Sequence, residues 1–332
     1  MFVEVSEKAG RFPSDNYVSN ESSYLHVDSA VHDASRRGGA YVGVGPEQNF
    51  TYIGRLAPSI AFIIDIRREN ALLHLVYKVL FETSESRGEL LAGLVSREVG
   101  GSPGADASLE EVLAFVEKSP RDPAAEKALV RRTLARRDSL GIPAAPGDEK
   151  AIRDAVGAFA RDGLSARYKM EGSARAYPSL GELAQEKTDD GVRASFLAHE
   201  ATFRAVKQLQ LENRVVAVVG NLAGDKTVRA VGRAVARRGE QISVMYTSNV
   251  EQYVFAPADW ASWRANVASL PLPPDAIIVR VYFDQGKKHP SERPGHRTVS
   301  LVHDARRFLE RAESPGYKSW FALTTDDALV PR

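Results

Sequence analysis

Gly43, Gly45 and Asp65 form the pattern in this chain with the clearest chemistry. They lie in the stretch GGAYVGVGPEQNFTYIGRLAPSIAFIIDIRR, residues 38–68. Glycine has no Cβ, so a turn through Gly43 and Gly45 lets the backbone approach a ligand closely. A carboxylate at the end of the next strand can accept hydrogen bonds from two ribose hydroxyls. Asp65 follows Gly45 by 20 residues, close to the roughly 20-residue spacing that such a geometry needs. Two further polar segments can act with this one: Asp15 to Glu21, and Thr247 to Tyr253.

The elements that must position these residues can be read from periodicity. Ala40 to Val44 is short, apolar and bounded by glycine, which predicts a buried strand. Phe50, Ile53 and Leu56 recur at helical spacing, and Pro58 stops that helix. Ile60 to Ile64 predicts a second buried strand, ending on Asp65. Strand, glycine turn, helix, strand and acid make the core of a nucleotide-binding βαβ unit. The pattern resumes with apolar runs at Val215–Val219, Ile242–Tyr246 and Ala276–Val281, and closing strands are expected at Val299–Val302 and Trp320–Leu323. Between the second and third strands, residues 84–212 read as helical almost throughout, over 87–97, 108–118, 123–138, 148–162 and 189–211. Alternating strands and helices predict an α/β protein with a doubly wound, mostly parallel sheet and a helical insertion.

The stretch around Gly43 resembles motif I of class I S-adenosylmethionine-dependent methyltransferases, an acid, one residue, then Gly-x-Gly-x-Gly. Gly43, Gly45 and Pro46 fit it. Tyr41 stands at the acid's position and Glu47 at the third glycine's. The resemblance implies a Rossmann-like, methyltransferase-like fold that binds S-adenosylmethionine. It implies cofactor contacts from Gly43, Gly45, Glu47, Asn49, Asp65 and Ile66, with Asn221 bonding the adenine amino group. Glu47 would then supply the charge that Tyr41 cannot. In that family the motif after the fourth strand faces the transferred methyl group, which points to Asn249, Glu251 and Tyr253. The segments DNYVSNE, GVGPEQNFTYI and SNVEQY also resemble those of a bacterial family with no activity attached to it.

Composition narrows the function classes. The chain has 332 residues, 43% of them hydrophobic, and a formal net charge of +1. No overall field draws it to nucleic acid or a membrane surface. Without cysteine there is no disulfide, thiol nucleophile or Cys-ligated metal. The first residues lack the basic start and apolar run of a signal peptide, and no 18-residue apolar stretch exists. A cytoplasmic protein acting on a small molecule is expected, with no metal. His26 and His32 flank Asp28 but have no third ligand nearby. Gly220 to Thr227 falls short of a P-loop, because Asp225 precedes Lys226-Thr227 where glycine is required. Arg67 and Arg68 can meet a substrate acid or simply be solvated.

Three units follow: an arm over 1–37, an α/β domain over 38–83 and 213–332, and the insertion over 84–212. The arm is expected to fold over the carboxyl edge of the sheet as a lid. Tyr17, Asn20 and Glu21 would then face Asn249 and Glu251 across the substrate, with Tyr17, Asn249 and Glu251 catalytic and Asn20, Glu21 and Tyr253 holding the substrate. Carboxylates sharing such a cleft predict a raised pKa at Glu21, Glu47 or Glu251. Local readings compete: Ser248 or Asn249 with Glu251 can make an ordinary capping box, and Asn20 to Ser23 can cap a short helix. The alternatives to methyl transfer are another nucleotide cofactor on the same kind of sheet, or a non-catalytic binding protein.

Overall fold

The computed structural model describes residues 1–284, 286–313 and 316–329. Six strands form one sheet: β1 (Ala40–Val44), β2 (Ala61–Asp65), β3 (Val215–Val219), β4 (Ile242–Ser248), β5 (Ile277–Phe283) and β6 (Thr298–Asp304). Their order is β3-β2-β1-β4-β5-β6. All pairs are parallel except β5 with β6. The sheet is therefore mostly parallel and the protein mixed α/β, as the spacing of apolar runs predicts. Strands β1 and β2 are buried almost end to end, which is why they read as continuous apolar runs rather than alternating ones.

Register fixes what the strand ends can share. Val44 pairs with Ile64, so Gly45 and Asp65 leave neighbouring strands at one level. Asp65 pairs with Val219, so Ile66 and Gly220 leave together. The chain order reverses direction between β1 and β4. Right-handed crossovers then put helices Asn49–Leu56 and Arg68–Thr83 on one face, and helices Thr227–Ala236 and Pro257–Ala268 on the other. The two groups keep their own contacts accordingly.

Among the described residues, no strand of the sheet lies between Asp65 and Val215. The helices there share one core with the sheet. Phe50, from the first crossover helix, is fully buried and packs edge-on against Phe81 and Phe196 at 5.0 and 5.5 Å. Helix Arg68–Thr83 contacts β2 and β3 and also the insertion helices Pro123–Ser139 and Asp148–Asp162.

Some boundaries differ from the sequence reading. Trp320–Thr325 is a helix rather than a closing strand, because Ser319 caps it by accepting from the Ala322 amide. The long helix expected over 189–211 begins only at Glu200. Thr188 closes a turn over Asp189–Gly191, bonding the Val192 amide and carbonyl. The helix expected over 87–97 ends at Leu94, and Ser96 follows with φ +52°. The helices expected over 108–118 and 123–138 form, started by a Ser108–Glu111 capping box and by Asp122 before Pro123.

The N-terminal arm crosses the carboxyl edge from one side to the other. The Glu7 amide donates to the Val219 carbonyl after β3, and Gly10 donates to Ile66 after β2 (3.0 and 2.8 Å). Ser19 then meets Glu47 after β1. Ser23 does not cap the short helix behind it, contrary to expectation. Its hydroxyl bonds Thr298 and Ser300 on β6 at 2.7 and 3.0 Å.

Candidate functional site

Under this arm lies a cavity of about 330 Å³, lined from the ends of β1, β2, β3 and β4. Of the residues singled out from sequence, it brings together Asn20, Glu21, Gly45, Asp65, Ile66, Asn221, Asn249 and Tyr253. It leaves out Tyr17, Gly43, Glu47, Asn49 and Glu251, and each of these has a physical reason to be elsewhere.

Glu251 is a core residue, not a proton acceptor facing a substrate. It is fully buried and takes a bidentate ion pair from Arg280, with Nε at 2.5 Å and a terminal nitrogen at 3.0 Å. Trp263 Nε1 and the Thr247 hydroxyl complete its shell at 2.9 and 3.1 Å. It forms no capping box either, since the turn that starts at Asn249 has no side-chain cap. Tyr17 packs its ring against Phe159, and burial pushes its hydroxyl up to about 12.

The turn after β1 is braced from beneath. Asn49 donates to the carbonyls of Val44 and Pro46, both at 2.8 Å, and accepts from the Tyr41 hydroxyl at 2.8 Å. A Cβ on Gly43 would overlap Asn49 Oδ1 and the Tyr41 hydroxyl, so Gly43 makes room for packing rather than for a ligand. Glu47 turns away from the cavity and accepts from the Ser19 amide at 3.1 Å; burial holds its carboxyl up at about 7. Gly45 is different. Its φ is +79°, and an added Cβ would meet only Asn16 Nδ2, at 3.8 Å, on the open side. Its carbonyl lies 2.8 Å from His74 Nε2.

Asp65 enters the cavity with most of its capacity taken. Arg67 donates to it from the amide (2.8 Å), from Nε (3.3 Å) and from a terminal nitrogen (3.1 Å). A carboxylate has about four acceptor positions, so one is left, on Oδ2. The expectation of two ribose contacts through this residue is reduced to one. Arg67 also donates to the carbonyls of Ser14 and Asp15, which ties the arm down. Arg68 pairs with the buried Asp148 at 2.6 Å, so neither arginine is available to a substrate acid. Asn221 accepts from the Ala223 amide at 3.0 Å. Among the described residues its Nδ2 makes no bond.

The group that sequence reasoning underrated is the network on Glu21. This carboxyl is 1% exposed, lines the cavity and has no cationic partner among the described residues. Tyr246 donates to it at 2.6 Å, Gln48 Nε2 at 2.9 Å, and Ser248 through a short bond. Burial raises its pKa, and these bonds oppose the rise. Ser248 reaches it only by taking φ +52° at the end of β4. Asn16, also on the cavity wall, has φ +49°. Left-handed backbone at residues other than glycine carries strain and gathers at functional sites. Alternation along β4 does not place this pair, because the register shifts between Tyr246 and Ser248. Tyr246 was hidden inside an apolar run.

The cavity's charge is acidic. Asp65 and Arg67 neutralise each other, which leaves Glu21 and Asp259 against Arg11, whose side chain is 86% exposed and pairs with Glu171. The helix after Gly45 offers no phosphate cradle. Its first amides, on Asn49, Phe50 and Thr51, already donate to Pro46, Glu47 and Gln48, so they cannot receive an anion. Lys226 likewise donates to the arm carbonyls of Val3 and Ser6 rather than to a phosphate loop. Asp28, between the two histidines considered for metal, pairs with Arg55 at 2.7 Å. Among the described residues, no group of three or more His, Asp or Glu is placed to hold a metal ion. No described helix is long and apolar enough to cross a membrane.

Residues 16–330 match the model of a family described as a domain of unknown function, DUF7790. No curated protein matches the chain.

Proposed function

We propose, for a chain that by the span of this match belongs to the DUF7790 family, that the cavity binds S-adenosylmethionine and that the protein transfers a methyl group to a small molecule. The strand order 3-2-1-4-5-6 is that of doubly wound, Rossmann-like sheets, which bind ligands where the order reverses, outside the carboxyl ends of the strands. The observation that carries the reading is the ring of Gly45, Asp65, Ile66 and Asn221 on one acidic cavity without free helix amides. An adenosyl group with a cationic end suits those walls. A dinucleotide or triphosphate does not, because its phosphates would meet carboxylates and occupied donors. A volume of about 330 Å³ is also near the low end for small-molecule sites, roughly 300–1,000 Å³.

In this reading Gly45 admits the ligand's backbone approach, Oδ2 of Asp65 accepts from one ribose hydroxyl, and Asn221 Nδ2 meets the adenine ring. Ile66 and Leu222 supply apolar walls. The cofactor, when bound, supplies an electrophilic sulfonium methyl group. Glu21 takes the acceptor's proton on a carboxylate oxygen, and Tyr246, Gln48 and Ser248 hold that carboxylate in line. The arm and the insertion residues Tyr168 and Met170 exclude water. Calorimetry with S-adenosylhomocysteine, NAD and ATP tests the reading. Binding of S-adenosylhomocysteine alone supports it; binding of NAD or ATP instead, or of none of the three, overturns it.

A further inference from the structure

A second cavity, of about 340 Å³, opens on the far side of Asn20. Asn20 lines both cavities, so one residue of the arm separates them. The second is walled by Ser22 of the arm, by Arg167, Arg175, Glu182 and Glu186 of the insertion, and by Arg297 at the start of β6. Its charges sort simply. Arg167 and Glu182 pair with each other at 3.0 Å. Arg175 and Arg297 have no acidic partner among the described residues. Both lie on one wall: Arg175 donates to the Asp284 carbonyl at 3.0 Å, and the Asp284 amide donates to the Arg297 backbone carbonyl at 3.5 Å. Glu186 is the one uncompensated acid of the lining, and burial holds its carboxyl up at about 7. The lining therefore carries two arginines without an acidic partner among the described residues, against at most one negative charge.

Resting on the reading above, we infer that this second cavity is the methyl acceptor's subsite, and that the acceptor carries an oxyanion held by Arg175 and Arg297. Guanidinium groups bind carboxylate and phosphate through paired, charge-assisted hydrogen bonds. An acceptor anchored there extends past Asn20 toward Glu21, so its anionic end is kept out of the acidic first cavity. The division of charge between the two cavities then keeps the acceptor's anion and the cofactor's cation apart, with Asn20 between them.

The test titrates the full chain with acetate and with phosphate, each in the presence and absence of S-adenosylhomocysteine. Saturable binding of at least one anion is expected, of the order of millimolar. The Arg175→Ala/Arg297→Ala variant should weaken it by about tenfold or more, with affinity for S-adenosylhomocysteine changed by no more than about twofold. The Arg175→Lys/Arg297→Lys variant, which keeps the charge, should retain part of the binding. Preference for acetate identifies a carboxylate acceptor and preference for phosphate a phosphorylated one. The inference falls if neither anion binds saturably, or if the alanine variant binds as the wild type does. Failure of S-adenosylhomocysteine to bind would remove the cofactor reading, while the titrations without it would still decide the anion subsite.

Discussion

Glu251→Gln should destabilise the protein by about 3 kcal/mol and leave ligand binding intact. Arg280 and Glu251 are both fully exposure-free, and Arg280 has one terminal nitrogen without a partner even in the native state. Removing one partner of such a buried pair typically costs about 3–5 kcal/mol, because the other charge stays in the core uncompensated. The low end applies here. The glutamine carbonyl can still accept one bond, and the Arg280 guanidinium lies 4.6 Å from the Phe308 ring centroid, where cation–π attraction persists. Set against a total stability of roughly 5–15 kcal/mol, this loss should move the urea midpoint far to the left with an unchanged slope. Replacing both partners, with Glu251→Leu and Arg280→Met, should recover much of it. A Glu251→Gln loss below about 1 kcal/mol would refute the anchoring role, since that is the range of an exposed pair. A folded variant with sharply reduced affinity for S-adenosylhomocysteine would return Glu251 to the ligand site.

Gly45→Ala should bind S-adenosylhomocysteine at least about tenfold more weakly, measured by calorimetry, since the methyl group projects into the cavity from a backbone with φ +79°. Gly43→Ala should instead lower thermal stability, by displacing Asn49 and Tyr41 from the turn they brace. Glu47 contributes stability that is lost as pH rises from about 4.5 to 7, because the folded state keeps it protonated up to about 7 while the unfolded chain releases that proton near 4.5; buried His26 and His74, held down to about 4, contribute in the opposite sense. At Glu47 the folded state holds the extra proton across that window, so its contribution to the slope is negative, and Glu47→Gln should remove that contribution in denaturant titrations at several pH values. Glu21→Gln should keep affinity for S-adenosylhomocysteine, which lacks the sulfonium charge, within about threefold yet abolish methyl transfer to any acceptor found, which single-turnover assays can separate.

The sheet was legible because its strands are short apolar runs, most of them closed by glycine or an acid, and because no such run occurs between Asp65 and Val215. That the segments after β1, β2, β3 and β4 meet at one edge followed from topology alone; the arm precedes β1, so its path over that edge rests on its own hydrogen bonds to Val219, Ile66 and Glu47. The side chains within those segments were harder to place. Glu251 and Glu21 are both acids in polar stretches, and only tertiary contacts distinguish them. Arg280, in the middle of an apolar strand, claims the first, and among the described residues no cation claims the second. Tyr41 reads as a departure from a motif until its hydroxyl is seen supporting Asn49. Trp320 to Leu323 is apolar enough for a strand, and the cap from Ser319 decides for a helix.

A crystal structure of the complex with S-adenosylhomocysteine tests the central claim most directly. The account predicts the ligand under the arm, with one ribose hydroxyl on Asp65 Oδ2, the adenine edge at Asn221 and the sulfur toward Glu21. Ligand density in any other cavity, or in this one with the ribose turned away from Asp65, would contradict it.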